Sequence, residues 1–208
     1  MPSLPDSLFW ERTDTTGVEH TLIDARNGLH ARGTILAVKP VPFTCRYELR
    51  TDSGWATAHL DVTVEGAGFK RSVRLELAAR RWRAVTAEQG SLDAELSAAG
   101  HPGAGLPGIE DPDLLFGAYD VDLGGSPLTN TLPIRRLNLL KAETGVAHRI
   151  SVAWVLLPSL EVVQADQIYT PLSANSIRYA SETFSADLTV DDDGFVVDYP
   201  GLAKQITR

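Results

Sequence analysis

The chain has 208 residues, 43% of them hydrophobic and 22% charged, with a formal net charge of −8. That length suits one domain, or two small ones, with a sizeable core. The charge sign disfavours nonspecific binding to nucleic acid or to anionic membrane surfaces, while leaving room for a local basic pocket. With Cys45 as the single cysteine, an intrachain disulfide and a cysteine metal cluster are both excluded.

In chain order, the opening MPSLPDSLFWER lacks a basic segment followed by an apolar run, so no signal peptide is expected. Strands are predicted at Thr34 to Val38 and Thr44 to Thr51. From Trp55 to Glu65 strict alternation puts Ala56, Ala58, Leu60, Val62 and Val64 on one face, and Thr57, His59, Asp61 and Thr63 on the other. After the glycines at 66 and 68, Val73, Leu75 and Leu77 alternate with Ser72, Arg74 and Glu76, which completes a hairpin. Trp82 to Thr86 continues as strand. The one predicted helix runs over Ser91 to Ala99, opened by Ser91 and stopped by Gly100. Gly100 to Asp113 is rich in Gly and Pro and reads as an exposed, mobile loop. Ile150 to Leu157 and Leu160 to Tyr169 are strands. Phe184, Ala186, Leu188 and Val190 share a strand face, and Asp193-Gly194 turns the chain into Phe195 to Tyr199. The longest apolar stretch, VAWVLLP, is too short to span a bilayer, so a soluble, cytoplasmic protein is expected. Strand after strand with turns between predicts an all-β fold.

Several familiar motifs carry no chemistry here. GAGLPG, Gly103 to Gly108, matches a dinucleotide fingerprint only in spelling, because prolines follow where a helix N-terminus is required. TVDDDG lacks the bidentate Glu of a calcium loop. The histidines form no metal-binding pair, and no G-x-S-x-G elbow exists. No metal or cofactor is expected. Cys45 reads as a small buried hydrophobe. ARRWRA places Arg81 and Arg83 on one strand face and Trp82 on the other, which fits a packed Trp beneath a solvated basic face.

The segment DVDLGGSPLTNTLPIRRLNL, Asp120 to Leu139, is different. On a strand Asp120 and Asp122 point the same way, which suits acid–base work, cation binding or pairing with guanidinium groups. Read as a second strand, PIRRLNL turns Arg135 and Arg136 to opposite faces, each among apolar neighbours, and a desolvated Arg needs a carboxylate or an anionic ligand. Thr129 and Asn130 suit a side-chain-bonded turn between them.

This segment resembles the D-[IV]-D-L and T-P-x-T-N-T-L-P-I-R-R-L pattern of a bacterial family named for glycolipid binding. FWERTDTTGVEHTLI, with Trp10, Gly17, Glu19 and His20, resembles the family as well. So do YELRTDSGWATAHLDV, VAWVLLPSLEVVQADQIYT and DLTVDDDGFVVDYPGL. Ser126 stands where the family has Thr. The tract 87–115 is longer than the family's link, and the ending GLAKQITR lacks an aromatic residue. The resemblance implies a single-domain spiral β-roll of mostly antiparallel strands, similar to bacterial lipoprotein carriers, with a flexible insertion around 87–115. It further implies non-catalytic binding of a glycolipid or other acyl-chain amphiphile in a concave cavity. Arg135, Arg136, Asp120, Asp122, Asn130, Trp10, His20 and Tyr169 are the candidate ligand contacts. Two alternatives stand beside it: an enzyme using Asp120 and Asp122 on a carbohydrate or lipid, and a purely structural role for the segment. In the structural alternative, Asp120 or Asp122 pairs with Arg135 or Arg136. Nucleic acid and an integral membrane segment are not expected, and the oligomeric state is left open.

Overall fold

The computed structural model describes residues 4–206. Its strands are β1 (Ser7–Arg12), β2 (Gly17–Asp24), β3 (His30–Ala37), β4 (Phe43–Thr51), β5 (Thr57–Gly66), β6 (Phe69–Ala78), β7 (Arg81–Gly90), β8 (Asp120–Leu123), β9 (His148–Val155), β10 (Val162–Ser173), β11 (Ser176–Ala180), β12 (Ser185–Val190), β13 (Val196–Tyr199) and β14 (Ala203–Gln205). Two short helices, α1 (Leu92–Ala98) and α2 (Thr131–Arg136), accompany them. All strands join one 14-stranded sheet in the order β7-β6-β5-β4-β3-β2-β1-β14-β13-β12-β11-β10-β9-β8. Every pairing is antiparallel except β8 with β9. The result is an open all-β roll whose two meanders meet where β1 pairs with β14. Among the described residues no helix is long and apolar enough to cross a membrane.

The roll curls until β8 comes back beside β5. Thr57 N–H donates to the Tyr119 carbonyl (2.8 Å), and Val121 N–H donates to Thr57 Oγ1 (3.1 Å). The outer edge of β8 is therefore covered by β5, while Trp154, the neighbour of Asp122 on β9, stays partly exposed. Val121, Leu123, Ala153 and Val155 join the larger core with the inward faces of β1 to β7. A second core lies among β10 to β13, around Tyr169, Ile177, Tyr179, Leu188 and Val196. Trp10, fully buried, ties the two meanders together by donating its indole N–H to the Val196 carbonyl (2.8 Å).

Two expectations change. PIRRLNL is not a strand: Thr131–Arg136 is helical, a 3-10 turn (Pro127–Asn130) precedes it and another (Leu139–Lys141) follows. Leu132 faces the larger core and Ile134 the smaller, so the helix plugs the space between them. Ala58 is exposed and Thr57 buried, against simple alternation, because a β-bulge at Arg50/Thr51 shifts the register of β5 at its start. The proposed insertion 87–115 starts inside β7, continues as α1 capped by Ser91, and is pinned at Gly108, which bridges to β10 through Leu160 and Val162.

Candidate functional site

The cleft is built on β8. Asp120 and Asp122 leave the same face of the strand but meet different partners. Asp120 is wholly buried and held two-pronged by Arg136 in the last turn of α2, with Nε–Oδ1 3.0 Å and Nη2–Oδ2 2.6 Å. Burial raises the Asp120 carboxyl from its ordinary value, against the pull of Arg136. Asp122 is half-buried and accepts from Thr129 Oγ1 (3.0 Å) on one oxygen and from Gln167 Nε2 (2.6 Å) on the other. Its pKa is raised by desolvation and lowered by these two bonds, with a net rise. Thr129 Oγ1 also accepts from Leu123 N–H (3.3 Å), which stitches the 3-10 turn to β8.

A hydrogen-bond chain extends from there. Asn130 Nδ2 donates to the Tyr169 hydroxyl (2.9 Å), which donates to Gln167 Oε1 (3.1 Å), whose amide donates to Asp122. The chain thus ends on a carboxylate and has a fixed polarity. Tyr169 packs edge-on to Tyr179 at 5.5 Å between ring centroids, and Tyr179 meets both Tyr199 (6.0 Å) and Phe184 (6.2 Å). Burial pushes the Tyr179 hydroxyl up to about 12. Asp122, Asn130, Gln167, Tyr179, Phe184 and Tyr199 line one cleft of about 810 Å³. Trp154 and Val163, direct cross-strand partners on β9 and β10, line it further. Its size falls within the range of small-molecule sites.

Behind Ser126, another lining residue, lies a second buried acid. Glu19 has no exposure, and its Oε1 accepts from the hydroxyls of Tyr47 (2.5 Å), Ser126 (2.7 Å) and Thr21 (3.3 Å). Its Oε2 is buried without a partner. Desolvation raises the carboxyl to about 7, opposed by the three hydroxyls and by Arg12. Tyr47 reaches Glu19 by lying across Gly33, its direct partner on β3: a Cβ there would sit 2.1 Å from the Tyr47 ring. Arg12 donates to the Gly125 carbonyl (3.1 Å) and pairs with Asp14.

Of the residues singled out in the sequence, Asp122 and Asn130 line the cleft and Tyr169 stands directly behind it. Asp120 and Arg136 form their own pair beside it. Arg135 lies elsewhere, 4.6 Å from the Trp55 ring and donating to the Asp193 carbonyl (2.8 Å). Trp10 is in the core. His20 points outward next to Phe9. Gln167, Tyr179, Phe184 and Tyr199 were not among the candidate contacts, and Glu19 and Ser126 were named only for their place in the family pattern. Only Glu19 stood beside a chosen residue, His20, and strand alternation sends the two to opposite faces. Among the described residues no group of three His, Cys, Asp or Glu side chains stands close enough to hold a metal ion.

An open all-β roll with an aromatic and polar cleft on the inner side of its C-terminal meander defines the class of this protein. Its family follows from the sequence: a family model described as "Putative glycolipid-binding" matches residues 7–205, and the chain belongs to that family. In fold it is similar to a DUF1089 family protein from Pseudomonas aeruginosa, known from a crystal structure at 1.80 Å. The two share 24% identity over 99% of this chain and 95% of that one, with a TM-score of 0.66. No functionally curated protein matches the chain.

Proposed function

We propose that the cleft binds a glycolipid or similar sugar-bearing amphiphile reversibly, without turning it over. The observation that carries this reading is that Asp122, Gln167 and Asn130 line the same cleft as the Tyr179–Phe184–Tyr199 cluster. A sugar offers hydroxyl rows at its rim and apolar C–H faces above and below. Each Asp122 oxygen accepts one protein bond and keeps capacity for a sugar hydroxyl, and bonds to a carboxylate are the stronger kind. Phe184, 44% exposed, supplies apolar surface with few rotatable bonds, backed by the nearly buried rings of Tyr179 and Tyr199. Trp154 and Val163 offer continuing apolar surface for the start of an alkyl chain. The family description supports the same ligand class.

The reading of Asp120 and Asp122 as a catalytic acid–base pair is disfavoured by their placement. Glycoside hydrolysis needs two carboxyl groups flanking one bond, whereas the Asp120 carboxyl is wholly buried and engaged on both oxygens by Arg136. Native mass spectrometry of gently purified protein tests the proposal. A retained amphiphile, recovered intact, is expected. Hydrolysed product growing in proportion to protein would replace binding with catalysis. Absence of any retained or displaceable amphiphile would remove the proposal.

A further inference from the structure

The outer face of the roll is not uniform. On β5 and β6 the outward positions are polar: Asp61, Thr63, Lys70, Ser72 and Arg74. That is the usual arrangement for a solvated antiparallel face. On β1 to β3 the same face carries Phe9, Leu22 and Leu36 at 36, 45 and 46% exposure, with Val38, 44% exposed, just past the end of β3. Register sets them on adjacent rows of this face, interleaved with polar residues. Phe9 pairs with His20, His20 with Thr34 and Thr34 with Arg46; one row away Leu22 pairs with Arg32, and on the other side Val18 pairs with Leu36.

The charges of this patch are unbalanced locally. Glu48 is engaged by Arg50 and His30, and Asp61 by Arg74 and His59. Neither Arg32 nor Arg46 has a carboxylate within ion-pair distance among the described residues, and both are exposed. Glu11 and Glu65 lie at the margin of the same face. We propose that this outer face of β1 to β4 docks on an anionic lipid surface. Phe9, Leu22, Leu36 and Val38 enter the interface, and Arg32 and Arg46 meet lipid phosphates. The proposal supplies the source from which the cleft's amphiphile is taken, and in that respect alone it rests on the function proposed above. None of the patch side chains lines the cleft.

The net charge of −8 opposes approach to such a surface, but charges beyond a Debye length of about 8 Å are largely screened at physiological salt. Local charge therefore decides.

The test is co-sedimentation of the full chain with phosphatidylcholine vesicles, with and without phosphatidylglycerol. Binding only to the anionic vesicles, weakened by salt, is expected. Each exposed Arg near the surface contributes about a fivefold change in partition, so the double variant Arg32→Gln/Arg46→Gln loses roughly 25-fold. Leu22→Ser/Leu36→Ser weakens binding as well, and both double variants keep the parent melting temperature and the parent affinity for a soluble short-chain glycolipid. Equal partition of parent and variants overturns the docking surface, as does a stable dimer that Leu22→Ser/Leu36→Ser dissolves. Loss of soluble glycolipid binding in the parent itself overturns the cleft reading instead.

Discussion

Replacing Glu19 by Gln probes the buried acid behind the cleft. Its carboxyl is raised from 4.5 to about 7 by desolvation, so between those values the folded state holds a proton that the unfolded chain releases. Glu19 therefore contributes most to stability below pH 4.5. The contribution falls as pH rises and levels off above about 7. A span of about 2.5 pH units at 1.36 kcal/mol each gives a loss of roughly 3 kcal/mol. Gln has nearly the same shape, accepts from Tyr47, Ser126 and Thr21 in the same way, and does not titrate. Urea unfolding followed by tryptophan fluorescence from pH 4.5 to 8 should show the variant gaining on the parent by about 3 kcal/mol across that range. Asp120 and Asp122, also raised, tilt both profiles alike and cancel in the difference. Parallel profiles for parent and variant would refute the assignment of a buried, proton-holding Glu19.

Gly33→Ala sets a methyl 2.1 Å from the Tyr47 ring, so Tyr47 must leave Glu19, and a loss of about 2–3 kcal/mol in thermal or urea unfolding is expected. Asp120→Asn or Arg136→Ala breaks a buried pair and should cost about 3 kcal/mol. Arg135→Ala, which gives up an aromatic contact and a carbonyl bond, should cost about 1 kcal/mol. Equal melting of all three variants would contradict the structural role of the Asp120–Arg136 pair. Brief proteolysis should cut the exposed 100–106 stretch before the bridged segment at Gly108, and the reverse order would count against a mobile tract there.

Much of the sheet was legible because period-2 alternation survives wherever one strand face is buried. The faces of Leu60, Val62, Val64, Val73 and Leu75 and the outward turn of Arg81 and Arg83 around Trp82 were all readable. The pairing of one Asp with one Arg could also be foreseen, since a guanidinium among apolar residues needs an acid. Which Asp meets which Arg could not, because α2 is only six residues long. Fewer than two helical turns hold too few apolar positions to separate a period of 3.6 from one of 2. Pro133 also made strand and helix look equally broken. The bulge that inverts Thr57 and Ala58 depends on β4, and nothing local in β5 announces it. The cleft was the hardest part to read. Asp122, Gln167, Tyr179 and Tyr199 come from β8, β10, β11 and β13, and only the curl of the sheet brings them together. Glu19 and His20 show the remaining limit. Alternation places neighbours on opposite faces but does not say which face is inside, and here Glu19 turns inward.

In the proposed function, Asp122 and the tyrosine cluster grip a sugar. Isothermal titration of a monomeric alkyl glycoside, against the matching alkyl alcohol, tests it most directly when parent, Asp122→Ala and Tyr199→Ala are compared. The parent should bind the glycoside and hardly the alcohol. Each variant should weaken glycoside binding about tenfold or more, as expected for one charge-assisted bond or one aromatic face. Equal affinity of the parent for glycoside and alcohol, or variants that bind the glycoside as the parent does, would contradict the account.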